Sequence, residues 1–136
     1  SGPPFPISPI EDARLRPGDM VFTIEIGESH KAYTLKPGSS RLRDDVVGGE
    51  DVLIIGRGKV GGPSAAAYFR EVDGRSLSFK LSDDLVEDEE TGSVWDDSGL
   101  GLSGPLAGTQ LGPVPSRTSF WFSLVGALPG IELHKP

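Results

Sequence analysis

Eight carboxylates crowd into the fifteen residues from Asp83 to Asp97: Asp83, Asp84, Glu87, Asp88, Glu89, Glu90, Asp96 and Asp97, with no Lys or Arg among them. The formal net charge of −7 is therefore −8 from this stretch and +1 from all the rest. Oxygen donors at this density suit a hard cation. Asp83, Asp84, Asp88 and Glu90 could supply ligands to Ca²⁺, which takes six to eight oxygens and tolerates irregular loops. The spacing is not that of an EF-hand, because no Gly stands at the sixth position of a D-x-D-x-D-G frame. The same acids could instead form a solvated loop, or a surface that speeds encounter with a basic partner in a salt-dependent way. A pair of them working on a glycosidic bond would need an aromatic-lined cleft and one raised pKa. Only Trp95 lies close in sequence, and its Val94 neighbour marks it as core. Ser82, Asp83, Asp84, Asp88, Glu90 and Trp95 are the candidate binding residues, and no catalytic residue is assigned.

Other reactive side chains are few. Cysteine is absent, which removes disulfides, thiolate metal sites and Cys nucleophiles together. The two histidines, His30 and His134, stand far apart, and no nucleophile-elbow sequence supports a Ser-His-Asp arrangement. A Gly-rich stretch, Gly56-Arg57-Gly58-Lys59-Val60-Gly61-Gly62-Pro63-Ser64, follows an apolar strand but lacks the Gly-Lys-Ser/Thr of a phosphate loop, so it reads as a hairpin loop. An acidic pI of about 4.7 argues against nucleic-acid binding. No apolar run is long enough to span a bilayer, and none resembles a signal peptide.

The elements that must position these residues are strands. Nineteen Gly and twelve Pro, with short apolar runs between them, favour turns and short strands over helices in one domain of 136 residues. Residues 1–17 form a Pro-rich lead-in arm and 18–136 the domain; Ser1-Gly2, without an initiator Met, reads as a cleavage scar or the cut edge of a longer protein. Val21–Ile26 and His30–Leu35 predict a hairpin that buries Phe22, Ile24 and Ile26 and turns Val21, Thr23 and Glu25 outward. Arg41–Glu50 reads as a charged connection closing in a Gly-Gly turn. Val52–Ile55 is a strand buried on both faces. Asp73-Gly74 supplies a type I′ turn between two alternating runs, Tyr68–Val72 and Arg75–Leu81, placing Leu77, Phe79 and Leu81 on one face. Ser119–Gly130 predicts a short helix with Ser116, Thr118 or Ser119 as N-cap, and Ile131-Glu132-Leu133 a closing edge strand.

The order of these signals resembles the prokaryotic domain-of-unknown-function family 3179 from Gly18 to Leu133. The residues that carry it are Gly18-Asp19 before a strand, Ala32-Tyr33-x-Leu35, Val47-Gly48-Gly49, Val72-Asp73-Gly74-Arg75-x-Leu77-x-Phe79 and Glu90-Thr91-Gly92-Ser93-x-Trp95. Gly104-Pro105-Leu106-Ala107-Gly108-Thr109 and Trp121 ahead of Pro129 complete the series. The resemblance also implies what is missing. Where members carry a Trp-His-Glu stretch this chain has Ser39-Ser40-Arg41, and where they carry Cys-Pro-x-Cys-Gly it has the Gly56–Gly62 region. Of a Tyr-Asn-Ser-Asp stretch only Ser82 and Asp83 carry over, in Lys80-Leu81-Ser82-Asp83. The family's His and Cys look like a metal or redox site, and Ser or Gly cannot replace such ligands.

The resulting expectation is a mainly β single domain, an antiparallel rolled or barrel-like sheet with one short C-terminal helix. Its expected role is a non-catalytic binding or interaction domain on the family scaffold with the metal or redox site lost. The alternatives are a Ca²⁺-binding or carboxylate-based enzyme domain using Asp83–Asp97, and a structural domain of a larger exported protein. No cofactor is assigned, Ca²⁺ being the one ion the carboxylates suit; a protein partner or neighbouring domain is expected. The resemblance implies a bacterial or archaeal source and an extracytoplasmic location, periplasmic or secreted.

Overall fold

The computed structural model describes residues 20–34, 40–58, 64–120 and 132–134. They contain thirteen strands and no helix. The strands are β1 Met20–Ile26, β2 Ser29–Thr34, β3 Ser40–Val47, β4 Glu50–Arg57, β5 Ser64–Phe69, β6 Glu71–Val72, β7 Arg75–Ser76, β8 Phe79–Ser82, β9 Leu85–Asp88, β10 Val94–Trp95, β11 Gly101–Ser103, β12 Ser116–Phe120 and β13 Glu132–His134. The chain is mainly β, as its Gly- and Pro-punctuated sequence predicts.

The fold is organised around β4. Val52, Leu53, Ile54 and Ile55 are all buried, so the strand needs cover on both faces. Flanked by β3 and β5 in antiparallel register, it forms a three-stranded central sheet. On one side Val52 and Ile54, with Val47 and Ala67, pack against Phe22, Ile24 and Tyr33 of the sheet ordered β12-β1-β2-β13. On the other, Leu53, Ile55 and Tyr68 pack against Phe79, Val86 and Trp95 of the sheet ordered β11-β10-β9-β8. Two cores thus share one wall. The expected rolled or barrel-like closure does not occur: β3 and β8 approach each other, but at that seam the Phe79 amide donates to the Asp44 side chain at 2.9 Å. The sheets stay open and separate.

Several local expectations change for the same reason of layering. Val21 and Thr23 are buried as fully as Phe22 and Ile24, so β1 is covered on both faces rather than outward-facing on one. Arg41–Val47 is not a connection but most of β3, an eight-residue strand at the edge of the central sheet where charged side chains remain partly solvated. The Asp73-Gly74 turn is as predicted, with φ of 51° and 77°, although the flanking strands shorten to two residues each before Leu77 and Phe79 enter the core. Ser116, Thr118 and Ser119, expected as helix caps, lie in β12, which pairs antiparallel with β1. The rest of the expected helix, 121–130, and the lead-in arm lie outside the described residues. The closing strand β13 is present but runs parallel to β2. Among the described residues no helix is long and apolar enough to cross a membrane.

Candidate functional site

The acidic segment is not a loop. It folds into β8, β9 and β10 with the turns between and after them, and hairpin geometry sends its carboxylates to different places. Asp83 and Asp84 form the two-residue turn between β8 and β9, both in the left-handed region at φ of 50° and 66°. Aspartate tolerates that conformation better than most residues, and two in succession make a type I′ turn without glycine. Asp96 and Asp97 open the turn between β10 and β11. Since β9 runs antiparallel to both β8 and β10, these two turns lie at the same end of the sheet.

There they meet Arg57, at the end of β4. Its Nε and Nη2 donate to the two oxygens of Asp97 at 3.0 and 2.8 Å, a bidentate fork. Nη1 donates to Asp84 Oδ1 at 2.9 Å and Nη2 to the Asp84 carbonyl at 3.0 Å. The Asp97 hydrogen bonds, together with the Asp97 and Asp84 charges, outweigh burial and raise the guanidinium pKa further. The Tyr68 hydroxyl donates to the Asp97 carbonyl at 2.6 Å; burial raises its pKa, and Asp96 and Asp97 add to the effect. Asp96 accepts from the Ser98 hydroxyl and amide and from the Leu100 amide, which together hold its pKa below the ordinary range. Across β3 and β4, Ser40 stands opposite Arg57 and Arg41 opposite Gly56. Ser40-Arg41 and Gly56-Arg57, which belong to two of the stretches that the family resemblance marks as departures, therefore face each other at the end where Arg57 sits.

The remaining candidates lie elsewhere and serve the fold. Asp88 is fully buried on the inner face of β9, where its carboxylate accepts from Trp95 Nε1 at 2.9 Å and from the Thr91 amide at 2.6 Å. The Thr91 hydroxyl lies 2.8 Å from the same carboxylate and 2.7 Å from Ser93 Oγ, which in turn accepts from the Leu106 amide. Trp95 is core, edge-on to Phe79 with ring centroids 5.9 Å apart. Glu90 accepts from the Ser78 amide at 2.8 Å.

Of the six sequence candidates, then, Ser82, Asp83 and Asp84 share the Arg57 end, while Asp88, Glu90 and Trp95 do not reach it. Arg57, Asp97 and Tyr68 escape sequence reasoning because the Arg57 partners lie 27 and 40 residues downstream. Among the described residues no group of three or more His, Cys, Asp or Glu side chains is placed to share a metal ion. What the arrangement offers chemically is a fixed guanidinium between two carboxylates, with Asp84 73% and Asp97 45% exposed.

No curated protein and no solved structure matches this chain. Residues 1–129 match the model of a family described as protein of unknown function (DUF3179), and the chain belongs to that family.

Proposed function

We propose that this is a non-catalytic binding or interaction domain. The observation that carries the reading is the dispersal of the Asp83–Asp97 carboxylates into separate internal roles. Asp84 and Asp97 bracket Arg57, Asp88 holds Trp95 and Thr91, Glu90 caps the Ser78 amide, Asp96 orders its own turn and Glu87 pairs with Lys80 at 3.5 Å. Carboxylates that accept from amide, indole and guanidinium donors are supports of a scaffold, not a vacant set converging on one point.

The test is thermal unfolding after EDTA treatment, with and without millimolar Ca²⁺, Mg²⁺, Mn²⁺ or Zn²⁺. An ion bound only by the native state raises the midpoint, since occupancy at a hundred times Kd is worth about 2.7 kcal/mol. The expected result is no shift with any ion. A rise of several degrees with one of them, lost in Asp84→Asn/Asp97→Asn, overturns the reading in favour of a carboxylate-held metal.

A further inference from the structure

The β8–β11 sheet has one face in the core and one that no described element covers. Inward go Phe79, Leu81, Val86, Asp88 and Trp95; outward, by strand alternation and register, go Lys80, Leu85, Glu87 and Val94. The described residues have three large apolar side chains that are about half exposed, and two of them are here: Leu85 at 51% on β9 and Leu102 at 55% on β11. Leu102 is the extra residue of a bulge opposite Val94 and Trp95, so the two leucines flank β10 with Val94 between them. They stand two strand spacings apart, about 10 Å. Residues 79–103 carry eight carboxylates against Lys80 alone, and Lys80 is occupied by Glu87. Around Leu85 the carboxylates of Asp83, Asp84 and Asp96 outnumber the single neutralising Arg57. An apolar strip bordered by carboxylates at one end matches a surface of the opposite sign with its own apolar anchors.

Resting on the reading of the domain as an interaction module, we infer that the outer face of the β8–β11 sheet docks a basic protein segment, its apolar side chains seated on Leu85, Val94 and Leu102 and its Lys or Arg side chains on Asp83, Asp84 and Asp96. The charge speeds encounter, and the leucines supply what distinguishes this partner from any polycation.

Two synthetic peptides of equal length and charge, one alternating Lys with Leu and one alternating Lys with Ser, probe the full chain by titration calorimetry. The Lys-Leu peptide should bind at least about tenfold more tightly, the scale of two half-exposed leucines becoming buried. In Leu85→Ser/Leu102→Ser that difference should vanish while the weaker binding of the Lys-Ser peptide persists and falls with salt. Val46→Ser, at the exposed side chain beside the β3–β4 turn, is the control and should leave the difference intact. Equal binding of both peptides, no binding of either, or a leucine preference that survives the double substitution overturns the assignment. These outcomes are separate from the metal test: an ion-dependent midpoint overturns the module reading, whereas loss of the leucine dependence overturns this face alone.

Discussion

Removing the Asp88 carboxylate by Asp88→Ala leaves two donors, the buried Trp95 Nε1 and the part-buried Thr91 amide, without the acceptor they share. The Thr91 hydroxyl can turn to Ser93 Oγ, 2.7 Å away, so it is not counted. Each orphaned buried donor costs about 1–3 kcal/mol, giving about 4 kcal/mol in all. For 136 residues, 1 kcal/mol corresponds to about 3–4 °C, so the midpoint should fall by about 14 °C. Trp95→Phe removes one donor and part of a ring, and in the wild-type background it should cost about 3 kcal/mol. Once Asp88 is gone, the same substitution relieves an orphan and should cost about 2 kcal/mol less. Urea denaturation followed by far-UV circular dichroism measures all four corners of the cycle without depending on tryptophan fluorescence. Additive effects within about 0.5 kcal/mol, or an Asp88→Ala cost under about 1 kcal/mol, would show that the carboxylate does not hold these donors.

A methyl group on Gly101 would sit 2.2 Å from the Leu106 carbonyl oxygen, and a backbone neighbour cannot swing away, so Gly101→Ala should cost about 3 kcal/mol or more in urea denaturation. Gly108→Ala, where φ is +85° but the space is open, should cost only about 1 kcal/mol. The hydroxyls of Thr23 and Thr34 are buried without a hydrogen-bond partner among the described residues, so Thr23→Val and Thr34→Val should each raise stability by about 1 kcal/mol; a loss in calorimetry would mean that those oxygens are satisfied. Adjacent aspartates should give opposite pH signatures. Burial raises the Asp44 pKa despite the Phe79 amide and Arg70, so its ionisation takes stability away as pH rises through the folded value. Burial also opposes ionisation of Asp45, but the Tyr33 hydroxyl, the Val46 amide, Lys31 and Arg43 together hold its pKa low. Its contribution is therefore present above the ordinary aspartate range and lost as pH falls through the lowered folded value. Between about pH 3 and pH 7, Asp44→Asn should gain stability relative to wild type and Asp45→Asn should lose it; changes of the same sign in both would refute the assignment.

Legibility in the sequence followed how local each signal was. Four consecutive apolar residues mark β4 as covered on both faces, and Asp-Gly and Gly-Gly dipeptides mark hairpins by their backbone requirements alone. β3 was hidden because an edge strand can keep Arg41, Arg43 and Asp45 partly solvated and so reads as a loop; what assigns it is pairing with Val52–Ile55 across the Gly48-Gly49 turn. The Asp83-Asp84 turn was hidden because its left-handed residues are not glycines. Asp88 looked like one more solvated acid, yet it shares a strand face with Val86, and Thr91 three residues on is the amide it accepts from, which together are a readable sign of a buried turn-forming aspartate. The Arg57 bracket was beyond reach, since the Gly-rich context reads only as a hairpin loop and the partners of Arg57 arrive from two distant turns.

The double-sided burial of β4 also governs how the chain finds its register. In a strand with one wet face, a slip by one residue drives apolar side chains into water and is rejected on that ground. A slip in Val52–Ile55 would exchange Val52 and Ile54 for Leu53 and Ile55 between the two cores and expose almost nothing, so hydrophobicity alone barely discriminates. Alignment must come from features that recognise one residue and not its neighbour. The Gly48-Gly49 turn, at φ of 59° and 79°, counts off the pairing of Val47 with Glu50. Arg70 then reads individual carbonyls, its Nε donating to Val52 at 2.8 Å and its amide to Asp51 at 3.0 Å. The polar parts of this protein thus carry a proofreading duty that its oily centre cannot perform, and defects in them should surface as misaligned chains before they surface as lost stability.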